Sequence, residues 1–283
     1  MNIPFNIDLS GKTAVVTGGG GVLCSGFAKA LAKCGARIAL LDINQAAVQA
    51  VADEINASGG TAIGVVADSL DKESLQTAAD VVSKAFGPCD ILINGAGGNH
   101  PKATTTKEYF NPGDLEDTDI TTFFDLESAN VEFVSNLNFL SALLTTQVFA
   151  KDMTSREGCS IINISSMNAF SPLTKIPAYS AAKAAVSNFT QWLAVHFAPV
   201  GIRVNAIAPG FFVTHQNQSL LFDANGEPTD RTKKILGHTP LGRFGTPDDL
   251  TGTLLWLADN NASAFITGIV VPVDGGFSAY SGV

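Results

Sequence analysis

Tyr179 and Lys183 stand four residues apart in AYSAAKAAVSNF (178–189), a stretch built almost wholly of small residues. An α-helix turns about 100° and rises about 1.5 Å per residue, so this spacing sets the two side chains one turn apart on nearly one face. A phenol with an ordinary pKa of about 10 exchanges protons poorly at neutral pH, and a neighbouring ammonium favours its ionised form. Lys183 is therefore expected to lower the pKa of Tyr179, with the alanines leaving room for a bound group. Ser166 follows the segment SIINIS (160–165), thirteen residues before the tyrosine. Its hydroxyl could hold a carbonyl or alcohol oxygen beside the phenol.

A second constellation lies near the start of the chain. TAVVTGGGGVLCSGFAKALAKCGA (13–36) reads as strand, glycine turn and helix. Such a turn lets backbone approach a pyrophosphate, and the free N–H groups of the helix start favour negative charge. Asp42, 24 residues beyond Gly18, ends the next apolar run, IALLD. A carboxylate there can accept hydrogen bonds from both hydroxyls of an adenosine ribose and would repel a 2′-phosphate. The glycine turn has no Arg or Lys to neutralise such a phosphate, so NAD(H) is favoured over NADP(H).

These groups need a frame. Strand candidates are 13–17, 37–42, 61–68, 90–94, 160–165, 202–208 and 269–273; helix candidates lie near 22–34, 44–58, 71–86, 134–155, 178–198 and 246–259. Apolar strands separated by helices predict a parallel sheet covered on both faces. The expected fold is a single α/β domain, doubly wound and Rossmann-type, spanning residues 1–283 with about seven strands. Two connections, 98–133 and 209–245, exceed simple strand-to-helix links. Both follow carboxyl ends of strands, where open α/β sheets bind ligands, and are candidate substrate lids.

Composition narrows the function. Apolar residues make up 46% and charged residues 15% of 283, enough for a large core. The net charge of −9 without a basic block argues against nucleic acid and anionic membrane as partners. An acidic chain can still bind an anionic metabolite through a local cationic pocket. No apolar run approaches the ~20 residues that span a bilayer, and the first residues lack the pattern of a secretory signal. A cytoplasmic location is expected. Cys24, Cys34, Cys89 and Cys159 form no C-x-x-C pair, His100, His196, His215 and His238 are scattered, and no metal site is expected.

Beyond these groups the chain carries VVAD with Asp68, NGAG (94–97), NISS, VNAIAPGFFVT (204–214), GRFGTPDDL and PVDGG (272–276). Together and in this order they resemble the short-chain dehydrogenase/reductase family from end to end. The resemblance implies an enzyme in which Tyr179 is the general acid in carbonyl reduction and the base in alcohol oxidation. Lys183 would lower the tyrosine pKa and bind the nicotinamide ribose, and Ser166 would hold the substrate oxygen. Asn138, ahead of Asn136, matches the asparagine of the family's water-linked proton relay. NAD would lie along Gly18, Gly20, Gly21, Val22 and Leu23, then Asp42, Asp68 and Ser69, with Asn94 bracing the sheet beside Ala96 and Gly97. Tyr179, Lys183 and the segment Pro209, Gly210, Phe212 and Thr214 would border the nicotinamide. One departure stands out. The family's T-G-x-x-x-G-x-G puts glycines where this chain has Val22 and Cys24, and its N-N-A-G has asparagine where this chain has Gly95.

Within the family, TGGGGVLCSGFAKALA, LLTTQVFAKDM, FFVTHQNQSLL and the tail VVPVDGGFSAYSGV resemble the D-mannonate oxidoreductase (fructuronate reductase) branch. That implies a sugar-acid substrate. His100, Asn168, Lys175, His215 and Gln216 are the candidate substrate contacts; Asn99, Lys102, Asn217 and Arg243 add polar groups nearby. Another polyol or hexonate dehydrogenase, such as a gluconate 5-dehydrogenase, is the alternative, and a non-catalytic NAD-binding regulator a third. The resemblance also implies a homo-oligomer, a tetramer or dimer.

Overall fold

β-Branched and apolar residues occupy both faces of the strands, so each strand must be covered from both sides. The computed structural model describes residues 6–214 and 217–282. In it β1 (Thr13–Thr17), β2 (Arg37–Asp42), β3 (Thr61–Val66), β4 (Ile91–Asn94), β5 (Ser160–Ile164), β6 (Arg203–Pro209) and β7 (Val270–Val273) form one sheet. The order is β3-β2-β1-β4-β5-β6-β7, and every pairing is parallel. The expected fold and strand count are met.

Alternation along the strands sends neighbouring residues to opposite layers. Val16, Leu40 and Ile93 pack with Phe27, Leu31, Leu250 and Leu254 of the helices Val22–Lys33 and Pro247–Ala258. Val15, Leu41 and Leu92 pack with Leu75, Val82, Phe149 and Leu193 of three other helices, Lys72–Phe86, Ser128–Met153 and Pro177–Phe197. Local signals fix several helix starts. Asn44 Oδ1 accepts the Ala47 N–H at 3.1 Å, Asp71 Oδ1 accepts the Glu73 N–H at 2.9 Å, and Pro177 and Pro247 open their helices.

Two expectations need correction. The helix drawn as 134–155 runs from Ser128 to Met153, so the last residues of the proposed 98–133 lid belong to it. Its N-cap Glu127 makes no side-chain cap, which leaves little start signal. By length and composition this helix could cross a bilayer, but half of its most apolar window is buried within this fold. The second lid is not plain loop either: Asp230–Gly237 is a helix, with Thr229 accepting the Thr232 N–H at its start.

Candidate active site

All carboxyl ends of the strands open onto one edge, and β1 and β4 part the chain's direction there. This is the crevice at which doubly wound sheets take their ligands. After β1, Gly18 turns with φ +65°, and Gly21 caps the next helix without any side-chain cap, leaving that helix start to backbone donors. A Cβ on Gly20 would lie 2.6 Å from the Ala47 Cβ and 3.3 Å from Asp42 Oδ2. The same Asp42 oxygen accepts the Gly20 N–H at 3.2 Å, while Oδ1 accepts the Asn44 N–H at 3.0 Å. The carboxylate thus stands at the tip of β2 against a turn stripped of side chains, a cradle shaped for a dinucleotide. Val22 and Leu23 open the helix beside it, half-buried.

The displaced glycine pattern has a packing explanation. Cys24 is buried, and its sulfur occupies the space that a Cβ on Gly95 would need. Cysteine in the first helix and glycine after β4 are complementary, so the turn keeps its shape although two family glycines are missing. Burial pushes the Cys24 thiol up to about 12, which makes it a packing group. Thr17 was not among the sequence candidates, yet its hydroxyl accepts the N–H groups of Gly95 and Ala96 at 3.1 and 3.2 Å. It was hidden because a strand-end threonine has an ordinary structural use.

Asn94 does brace the sheet. Its amide donates to Thr146 Oγ1 at 2.9 Å and Asn163 Oδ1 at 2.8 Å, and Asn163 in turn donates to Thr190 Oγ1 at 2.8 Å. The side chain is 4% exposed. Asp68 is exposed after β3; its Oδ1 accepts the Leu70 N–H at 2.8 Å, and Ser69 beside it is half-buried.

The proton-handling groups converge at the same edge. Lys183 is 4% exposed and donates to the Ile164 carbonyl at 2.8 Å, with Nζ 5.7 Å from the centre of the Tyr179 ring. Burial pushes the Lys183 ammonium down to about 8. The expectation that Lys183 depresses the Tyr179 pKa is not met: burial raises it, and the opposing influence is a hydrogen bond with Ser166. The reason is direction. The ammonium addresses a backbone carbonyl of β5, while the Ser166 hydroxyl addresses the phenol. A Cβ on Gly97 would come within 2.6 Å of Asn138 Oδ1 and 3.2 Å of Lys183 Nζ, so the loop after β4 is pressed against this group.

Asn138 sits in a π-turn, Asn136–Leu140, within the long helix. Such turns interrupt the regular backbone ladder and recur at functional positions. Its amide is already committed: Nδ2 donates to the carbonyls of Gly98 and Val134, both at 2.7 Å, and Oδ1 accepts the Gly98 N–H at 3.1 Å. The side chain therefore clamps the 97–98 loop, and only the backbone of this position is available to a relay.

Beyond β6, Pro209 ends the strand, and a Cβ on Gly210 would lie 2.6 Å from the Asp274 Cα. Phe212, an expected cofactor contact, turns its side chain inward. Its side chain is 5% exposed and lies against Gly245 in the core, so only its backbone can face the crevice. Thr214 is half-buried; its N–H donates to Asn217 Oδ1 at 2.8 Å.

Among the substrate candidates, His215 and Gln216 lie outside the described residues. His100 Nδ1 accepts the Lys102 N–H at 3.3 Å, and its ring meets Phe133 edge-on. Asn168 is 5% exposed, and its Oδ1 has no partner among the described residues. Arg243 is removed from the candidates by a bidentate pair with Asp249, both contacts 2.7 Å. That pair holds the Asp249 carboxyl well below the usual range. Lys175, with φ +73°, is the sole non-glycine at positive φ among the described residues.

Comparison with known proteins agrees with this geometry. The family model described as short chain dehydrogenase matches residues 12–224. A relative from Haemophilus influenzae called an uncharacterized oxidoreductase is 61% identical over 283 residues, covering 100% of this chain and 99% of its own. A crystal structure of a candidate D-mannonate oxidoreductase from the same species, with bound NAD, superposes with a TM-score of 0.94 at 60% identity, covering 100% of both chains. A 2-dehydro-3-deoxy-D-gluconate 5-dehydrogenase from Dickeya dadantii is 33% identical, covering 96% of this chain and 97% of its own.

Proposed function

The chain belongs to the short-chain dehydrogenase family, an oxidoreductase family, and from that premise we propose an NAD(H)-dependent enzyme for a sugar acid. The reaction assigned is D-mannonate + NAD⁺ ⇌ D-fructuronate + NADH + H⁺. One observation carries the chemistry: Tyr179, Ser166 and Lys183 meet at the strand edge that also holds the glycine cradle and Asp42. Support for the substrate is the 60% identity, over both full chains, to the candidate D-mannonate oxidoreductase.

The cradle at Gly18, Gly20 and Gly21 would take the pyrophosphate, Asp42 the adenosine ribose, and Lys183 with Tyr179 the nicotinamide ribose. Bound NAD supplies the hydride acceptor for oxidation and, reduced, the hydride donor for reduction. The chain handles the proton. In reduction Tyr179 donates its phenolic proton to the ketone oxygen; in oxidation its ionised form takes the alcohol proton. Ser166 hydrogen-bonds that same oxygen and fixes it within reach of the phenol. Lys183, its ammonium on the Ile164 carbonyl, would serve the nicotinamide ribose rather than tune the phenol, and Asn138 keeps the 97–98 loop in position. Asp42, next to a turn without cations, would exclude a 2′-phosphate and so select NAD.

A steady-state panel tests this reading: D-mannonate, D-gluconate, D-mannitol and 2-dehydro-3-deoxy-D-gluconate, each with NAD⁺ and NADP⁺. D-Mannonate with NAD⁺ should give the highest kcat/KM. A higher value for D-gluconate would move the chain to another hexonate branch.

A further inference from the structure

We propose that Lys175 and Arg231, on either side of the Glu108–Lys234 ion pair that joins the two lids, form the pole that binds the carboxylate of the substrate. This inference rests on the sugar-acid reading of the same site.

The argument begins with elimination. Most cations on the lids already have a carboxylate: Lys107 pairs with Asp114 at 2.6 Å, Lys233 with Asp230 at 3.0 Å, and Arg243 with Asp249 at 2.7 Å. Lys234 reaches across from the second lid to both oxygens of Glu108 on the first, at 3.1 and 3.0 Å. Lys175, Arg231 and Lys102 make no side-chain hydrogen bond or ion pair among the described residues; Lys102 is exposed, whereas Lys175 and Arg231 are half-buried. The Lys234 hydrogen bond is the main cause that holds the Glu108 carboxyl below its usual range, and the charges of Lys234, Lys175 and Arg231 add to it. Three cations therefore act on one anion, and one of them, Lys234, is in contact with it. In a chain of net charge −9, this local excess of positive charge is what an anionic metabolite requires.

Placement ties the cluster to the catalytic edge. Lys175 lies two residues before Pro177, which opens the helix of Tyr179. Its carbonyl accepts the Thr105 N–H at 2.9 Å, joining this loop to the first lid. Ala178 and Tyr179 pack against Ala103 of that lid. Arg231 lies in the first turn of the second lid's helix. The backbone of Lys175 adds a separate observation. At φ +73° a glycine would sit without strain, whereas a lysine stores it. Strain of this kind collects where a side chain is needed in a particular place. Here the side chain supplies a charge-assisted partner for a carboxylate.

The test compares D-fructuronate with its uncharged methyl ester in wild type, Lys175→Met, Arg231→Met, the double variant and Lys175→Gly, alongside NADH affinity. Wild type should prefer the acid at least tenfold in kcat/KM. Each single Met variant should lose at least fivefold of that preference through KM, and the double variant should lose all of it. Lys175→Gly should lose it equally while unfolding at the same or a higher temperature, which separates the charge from the backbone. NADH affinity should stay within twofold in every variant. Should the substrate panel favour another hexonate, the acid and ester of that compound replace this pair, so loss of the D-mannonate assignment leaves this test standing. Variants that keep the acid preference, or lose NADH affinity in parallel, overturn the proposal. A wild type without preference for any acid contradicts both readings.

Discussion

The Cys24 sulfur and Gly95 share one small space: any Cβ on Gly95 would overlap that sulfur, and it would also lie 2.9 Å from the Thr17 carbonyl. Cysteine in the first helix is thus matched by glycine after β4. Gly95→Ala should cost about 1–3 kcal/mol of stability, the usual range for overpacking. In a Cys24→Gly background that cost should fall by at least about 1 kcal/mol, because the larger overlap is gone. Urea unfolding of the four proteins measures the coupling. Additive effects would show that the two positions do not share the space.

Lys183 is a buried ammonium with a carbonyl partner, and it should destabilise the fold. Its pKa falls from 10.5 to about 8 on folding. Between those values the unfolded chain binds the extra proton, so stability rises with pH from about 8 to above 10 and the full cost is present below 8. A drop of that size corresponds to about 3 kcal/mol. Lys183→Met should therefore raise the unfolding free energy at pH 7 by about 1–3 kcal/mol and flatten the profile between pH 8 and 10, while losing turnover. A variant less stable than wild type would refute the account of its burial.

Ser166 is the group that lowers the Tyr179 pKa against burial. Reduction needs the protonated phenol and oxidation the ionised one, so oxidation should climb with pH. Removing the Ser166 hydroxyl should move the alkaline limb of the oxidation profile upward in Ser166→Ala, in addition to lowering kcat. A pH–rate profile with unchanged midpoint would separate Ser166 from the phenol.

Much of this was legible in the chain. Asp42, Gly20 and the Tyr179–Lys183 pair follow from spacing, because strand ends and helix turns fix where such side chains stand. What stayed hidden depends on contacts distant in sequence. Thr17 orders the backbone at 95–96, the Lys183 ammonium addresses Ile164, and Lys234 meets Glu108 across 126 residues. No local pattern announces such pairings.

Asp42 should control cofactor choice. On the proposed reading, Asp42→Ala would remove both the ribose acceptor and the charge that repels a 2′-phosphate. The ratio of kcat/KM for NADP⁺ over NAD⁺ should rise at least tenfold, and an unchanged ratio would take Asp42 out of the ribose site.

The proton carried by Tyr179 is the centre of the account. Tyr179→Phe deletes one oxygen and leaves the Ser166, Lys183 and glycine positions in place. Its turnover, measured beside NADH binding by fluorescence, should fall by about 10²–10⁴-fold or more, with NADH affinity within threefold of wild type. A Phe variant that turns over at the wild-type rate would contradict it.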